Sequence, residues 1–151
     1  MSKKNLLFKS IEEFYDDPKN FTRLSEILGH QIVSLRCIEE FVTNYAKEKH
    51  TVVDTPGGSS INVHVAYKSS LSGYSKKLFD PFCRTERIEF RGFTTTVAQL
   101  NFIRWCIKNG IIEHIKSLED YRNRLKIQDQ YNHSSTEKFQ NSETIGAQMN
   151  L

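Results

Sequence analysis

Between Val97 and Ile107 the sequence places Val97, Leu100, Phe102, Ile103, Trp105, Cys106 and Ile107. On a helix this set covers nearly the whole circumference rather than one stripe. Such a helix is stable in water only when other elements surround it, so the fold must be built with this segment at its centre. Thr96-Val97-Ala98-Gln99 has the form of a capping box at its start, and Asn109-Gly110 interrupts it at its end. The 151 residues suit one compact domain with a core large enough to enclose such a helix. The apolar share of 38% is on the low side, so a polar segment is expected outside that core.

The surrounding elements can be read from period and punctuation. Ser10-Ile11-Glu12-Glu13 has capping-box form and opens a short helical turn bearing Ile11, Phe14 and Tyr15. Asp17-Pro18 reads as an N-cap followed by proline at the first helical position. Phe21, Leu24, Ile27 and Leu28 then share a face up to Gly29. Ser34 caps a longer helix whose apolar stripe is Leu35, Ile38, Phe41, Val42, Tyr45 and Ala46, with Glu39 and Glu40 outside it. The period next falls to two. Thr51–Val53 and Ile61–Val65 flank the turn-rich loop 54–60, predicting a hairpin with Ile61, Val63 and Val65 inward and Asn62 and His64 outward. Tyr67, Leu71, Tyr74 and Leu78 return to helical spacing, which Asp80-Pro81 ends. Arg87–Arg91 alternates as a third strand closed by Gly92, and Ile111, Ile112, Ile115, Leu118 and Leu125 make a last helix ending near Lys126. From Gln128 onward Gln, Asn, Ser, Thr and Glu dominate, too polar to offset ordering entropy. The expectation is a mostly helical α+β domain over 1–126, with a small antiparallel sheet (hairpin plus one strand) packed on helices, and a polar, disordered tail over 127–151.

Several chemistries find no support. No run of apolar residues approaches the roughly 20 needed to span a bilayer. Leu6-Leu7-Phe8 is far shorter than a secretory h-region. Three widely spaced cysteines (Cys37, Cys83, Cys106) read as free thiols of a reducing compartment, Cys37 and Cys106 as core fillers and Cys83 as a buried neighbour of Phe82. No two of His30, His50, His64, His114 and His133 lie three or four residues apart, and there is no Cys-x-x-Cys, so no metal site is expected. The glycines at 57–58 lack the lysine of a phosphate loop, and no nucleophile has a visible base. The protein is expected not to be an enzyme, with no catalytic residue, no cofactor and no small-molecule substrate.

Charge is more informative. Lys68, Lys76, Lys77, Arg84, Arg87 and Arg91 stand against Asp80, Glu86 and Glu89, so segment 68–91 carries net +3, equal to the formal charge of the whole chain. Arg104, Lys108, Lys116, Arg122 and Arg124 add a basic excess in the last helices. Cations among Tyr67, Tyr74, Phe79, Phe82 and Phe90 can hold phosphates and stack bases; alternatively the rings are core and the cations a solvated face. A face made by Lys68, Lys76, Lys77, Arg84, Arg87 and Arg91 is the sharpest binding site on offer. The order helix, turn, helix, hairpin also fits a winged helix, but Glu39 and Glu40 on the reading helix would oppose phosphates.

Three runs carry a resemblance: Phe41-Val42-Thr43-Asn44-Tyr45-Ala46-Lys47, Tyr74-Ser75-Lys76-Lys77-Leu78-Phe79-Asp80-Pro81-Phe82-Cys83-Arg84, and Thr95-Thr96-Val97-Ala98-Gln99-Leu100-Asn101-Phe102-Ile103-Arg104-Trp105. Over roughly Phe14 to Leu118 the chain resembles small proteins of large nucleocytoplasmic DNA viruses, a group without an established biochemical function. The resemblance implies a viral context, in the host cytoplasm or nucleus or in the particle. With the basic segment it frames two expectations: an accessory protein that binds viral nucleic acid or another polyanion, or a virion component that binds other viral proteins.

Overall fold

The computed structural model describes residues 2–118, and they begin as a helix. Helix α1 (Lys3–Tyr15) starts at Ser2, whose Oγ accepts from the Asn5 amide at 3.1 Å. The expected start at Ser10 is therefore corrected. Starting eight residues earlier puts Leu7 on the same buried stripe as Ile11 and Tyr15, and that burial outweighs a local capping pattern. Helix α2 (Pro18–Leu28) begins as expected, with Asp17 Oδ1 accepting from Lys19 N at 2.9 Å, and it stops at Gly29.

Ser34 caps α3 (Leu35–Glu40) through the Cys37 amide at 3.2 Å. The helix expected to run on unbroken instead widens into a π turn over Phe41–Tyr45 before α4 (Ala46–Lys49). Thr43 Oγ1 donates to the Glu39 carbonyl at 2.8 Å at that point, a back-bond of the kind that bends helices.

Strands β1 (Val52–Asp54) and β2 (Ser60–Asn62) pair antiparallel with Val53 opposite Ile61. The second strand is shorter than its alternation implied. Asn62 Oδ1 accepts from Val65 N at 3.0 Å, capping α5 (Val63–Tyr74) directly behind the strand. Val63 and Tyr67, four apart, are buried, while Val65, expected inward, is 62% exposed. The helical spacing of Val63 and Tyr67 wins over the strand spacing of Val63 and Val65.

Helix α6 (Lys76–Phe79) is a single turn set off from α5 by Ser75 at φ 82°, ψ 157°. Strand β3 (Ile88–Phe90) pairs with β4 (Phe93–Thr95) across a turn at Arg91 and Gly92, both at positive φ (50° and 95°). The expected lone strand thus has a partner, and the domain is mostly helical α+β with two two-stranded sheets.

Helix α7 (Val97–Lys108) is the enclosed centre. Thr96 Oγ1 caps it at Gln99 N, 3.1 Å, and it packs against α1, α2 and α6. Leu100, Phe102, Ile103 and Cys106 are fully buried, and Tyr15 of α1 donates to the Leu100 carbonyl at 2.9 Å. Gly110, at φ 73°, separates α7 from α8 (Ile111–Ser117). Met1–Ile115 form one compact unit. The second unit, Lys116–Leu151, lies almost wholly outside the described residues, as do the expected helix end near Lys126, the boundary at 126 and the polar tail.

Candidate functional site

The basic segment maps onto α5, α6 and the connections that follow. Lys68 lies on α5, Lys76 and Lys77 on the α6 turn, Arg84 and Arg87 on the loop to β3, and all five are exposed. The loop is locked at its start: Asp80 Oδ1 accepts from Phe82 N at 2.9 Å, and the Asp80 carbonyl accepts from Cys83 N at 3.1 Å. None of the five cations makes an ion pair among the described residues.

The three acidic residues of the segment are engaged elsewhere. Asp80 holds the loop, Glu86 pairs with Lys4 at 3.6 Å, and Glu89 accepts from Thr94 Oγ1 at 2.6 Å. The charge of the five cations is thus left facing water.

Arg91 is different. Its guanidinium donates to the Tyr15 carbonyl (2.8 Å), the Glu12 carbonyl (3.2 Å) and Asp16 Oδ1 (2.7 Å). It closes the C-terminal end of α1, where the Tyr15 carbonyl lies beyond the helical bonds and a cation complements the dipole. Of the six expected phosphate contacts, Arg91 is thus the one whose guanidinium is already bonded within the fold.

The aromatics divide in the same way. Tyr67, Phe79 and Phe90 are buried and Tyr74 is half-buried, so they belong to the core. Phe82, by contrast, is 38% exposed, with the Arg36 guanidinium 4.4 Å above its ring. Cys83, expected to be buried beside it, is half-buried, as is Cys37; Cys106 is fully buried and burial pushes its thiol up. Below the segment, burial and then the Asp80 carboxylate raise Glu39 above the usual carboxylate range, with Arg36 opposing. Burial, Asp80 and Glu39 push the Tyr67 phenol up to about 12. Glu39 and Glu40, expected outside the apolar stripe, are both half-buried.

A second feature lies between α7 and the β1–β2 turn. A recess of about 390 Å³ is lined by Thr55, Gly57, Ser59, Ile61, Tyr74, Asn101, Arg104, Trp105, Lys108 and Asn109, with no acidic residue among them. Arg104, counted in the basic excess of the last helices, is only 7% exposed. A larger, shallower groove of about 660 Å³ runs along α1, where Lys4 and Lys9 are balanced by Glu12 and Glu89. Among the described residues no group of three or more His, Cys, Asp or Glu could hold a metal ion.

With this geometry in view, comparison with known proteins is informative. The profile of the Family of unknown function (DUF7197) matches residues 1–150. The chain belongs to this family. The chain is also similar to Uncharacterized protein L507 of Acanthamoeba polyphaga mimivirus, at 34% identity, over 76% of this chain and 51% of that protein. It spans about half the length of the curated relative it matches. No solved structure matches. The resemblance to small proteins of large nucleocytoplasmic DNA viruses is borne out, and the DUF7197 match extends beyond Leu118 through the tail. No helix among the described residues is long and apolar enough to cross a membrane.

DUF7197 membership assigns no residue a role, so the site rests on the geometry. What the sequence reading missed is Arg104. The available signal was its position: on a helix apolar nearly all round, with Asn101 three residues before it, an arginine has no wet face to occupy.

Proposed function

We propose that this protein is a non-enzymatic viral accessory protein that binds nucleic acid as a polyanion through Lys68, Lys76, Lys77, Arg84 and Arg87. One observation carries the reading: five exposed cations make no ion pair among the described residues, while Asp80, Glu86 and Glu89 are committed to other groups. Cations left uncompensated in water release condensed counterions when they meet phosphates, and that release drives sequence-independent binding. The place of action is the host cytoplasm, the nucleus or the particle.

The test is retention on duplex DNA as a function of salt. Five phosphate contacts give a log–log slope of about −4.5, so affinity falls about 500-fold between 50 and 200 mM salt. Lys76→Glu combined with Lys77→Glu should lower the slope by about 1.8. Retention and slope unchanged in that variant would overturn the reading.

A second reading, a virion component docking other viral proteins, would use the same five unpaired cations to meet an acidic protein surface. Stoichiometric recovery from purified particles, with no salt-dependent DNA binding, would favour it.

A further inference from the structure

We propose that the recess between α7 and the β1–β2 turn is a binding site for a phosphate monoester carried on a flat organic body, of which a nucleoside 5′-monophosphate is the simplest case. The inference uses none of the cations of the polyanion reading and stands independently of it. It also departs from the expectation, drawn from the sequence, that no small molecule is bound.

The argument begins with Arg104. Buried arginines are ordinarily paired with carboxylates, because an uncompensated charge away from water is costly. Arg104 donates to Ser10 Oγ at 2.7 Å, Asn101 Oδ1 at 3.0 Å and Tyr74 OH at 3.4 Å, all neutral. These bonds use three of its five N–H groups, and it has no ion pair among the described residues. The charge is held in place but not neutralised.

Its orientation is fixed from behind. Asn101 Nδ2 donates to the Leu78 carbonyl at 2.9 Å, which sets the amide so that its oxygen faces the guanidinium. A guanidinium locked in this way holds its charge in place with little entropy left to lose, and its remaining donors, the Nε–H and one Nη1–H, can each meet a single anionic oxygen.

Lys108 supplies a second positive charge. It lies one turn beyond Arg104 on the same helix face, lines the same recess, is exposed and makes no ion pair among the described residues. Like charges four apart destabilise a helix, so two cations around an acid-free recess favour a dianion. A phosphate monoester is doubly charged near neutrality.

The remaining walls suit what the phosphate is attached to. Trp105 stacks on Phe102 at 6.1 Å and meets Phe79 edge-on at 5.6 Å, and Tyr74 stacks on Phe79 at 5.6 Å, so both recess-lining rings are immobilised from the core side. Opposite them, the Thr55 and Ser59 hydroxyls, 2.9 Å apart, offer donors and acceptors to a sugar. The volume of about 390 Å³ falls in the range of small-molecule sites.

The chain has one tryptophan, and it lines this recess. Titration of the full chain with AMP and GMP, followed by Trp105 emission and by calorimetry at constant ionic strength, should give saturable binding, with adenosine and guanosine inert. Lys108→Glu should weaken binding at least about tenfold while leaving far-UV dichroism unchanged. Lys76→Glu with Lys77→Glu should leave mononucleotide binding intact even though it weakens DNA retention and lowers its salt slope, which separates failure of this site from failure of the basic face. Arg104→Lys keeps the charge but loses the bonds that fix it in place, so it should weaken binding too; if it unfolds the chain, Lys108→Glu decides. Nucleosides and nucleotides responding alike, no saturation, or wild-type affinity in Lys108→Glu would each overturn the proposal.

Discussion

Replacing Arg91 separates the roles that its charge suggested. The guanidinium bonds two carbonyls at the end of α1 and the Asp16 carboxylate, with its side chain 34% exposed, and it lies 5.0 Å from the Phe90 ring. A partly exposed ion pair contributes about 0.2–1 kcal/mol, and a cation at a helix C-terminus about 0.3–1 kcal/mol. Two charge-assisted bonds to carbonyls, weakened by solvent, add about 1 kcal/mol more. Arg91→Ala should therefore cost about 1.5–3 kcal/mol. Arg91 also sits at φ 50°, a conformation in which glycine escapes the penalty that alanine keeps. Arg91→Gly should accordingly be about 1 kcal/mol milder than Arg91→Ala. Urea unfolding followed by Trp105 emission and far-UV dichroism measures both variants. In the DNA retention assay Arg91→Ala should leave the salt slope unaltered at temperatures where it is folded. If Arg91→Ala loses less than about 0.5 kcal/mol and the slope falls by about 0.9, the guanidinium contacts phosphate and the clamp reasoning fails.

Other substitutions test the frame around the site. Ser75, at φ 82° and ψ 157°, occupies a region that is essentially glycine's own; Ser75→Gly should raise the urea midpoint, by about 0.5–2 kcal/mol of stability, and a lowered midpoint would contradict the strain. Phe79 is fully buried against Tyr67, Tyr74, Phe102 and Trp105, so Phe79→Ala should cost about 3–5 kcal/mol and erase the near-UV dichroism of Trp105; a loss under about 1 kcal/mol would mean the cluster is not the core. Burial lowers His114 below the 6.5 of a free imidazole, so the unfolded chain takes up the proton first. Stability is then full above about pH 6.5 and falls as the pH drops below it, until the folded imidazole also protonates. Glu39, raised by burial, acts in the opposite sense as pH climbs above 4.5. The difference between wild type and His114→Gln isolates the histidine: its acid-side decline should flatten, and an equally steep decline in the variant would assign the proton elsewhere.

Where a local rule and the burial pattern agreed, the sequence was legible. Asp17-Pro18 and Ser34 start α2 and α3 because a side-chain cap and the first buried residues point to the same register. At Ser10 and at Val63 the two disagreed, and long-range packing decided. The β3–β4 hairpin was hidden for a related reason. Tight two-residue turns favour Asn-Gly or Asp-Gly, whereas this one uses Arg91-Gly92, whose first residue is poorly suited to positive φ. Its side chain reaches back to α1, and those three bonds offset the cost of the turn.

Arg104 follows the same logic one level deeper. An enclosed helix was expected from its apolar circumference, but circumference arithmetic treats the remaining polar residue as the exposed remainder. Where the surrounding elements close over Arg104 there is no exposed remainder at that position, and the cation must be buried with whatever partners the fold supplies. Here those partners are a serine from α1, a tyrosine from α5 and an asparagine from α7 itself, all neutral. A structural bolt alone would be cheaper as an apolar side chain or a carboxylate-paired one. A full positive charge retained among neutral groups, beside Lys108 and an acid-free recess, is a cost that binding an anion would offset. The feature that most constrained the fold thus also marks where its chemistry should be sought.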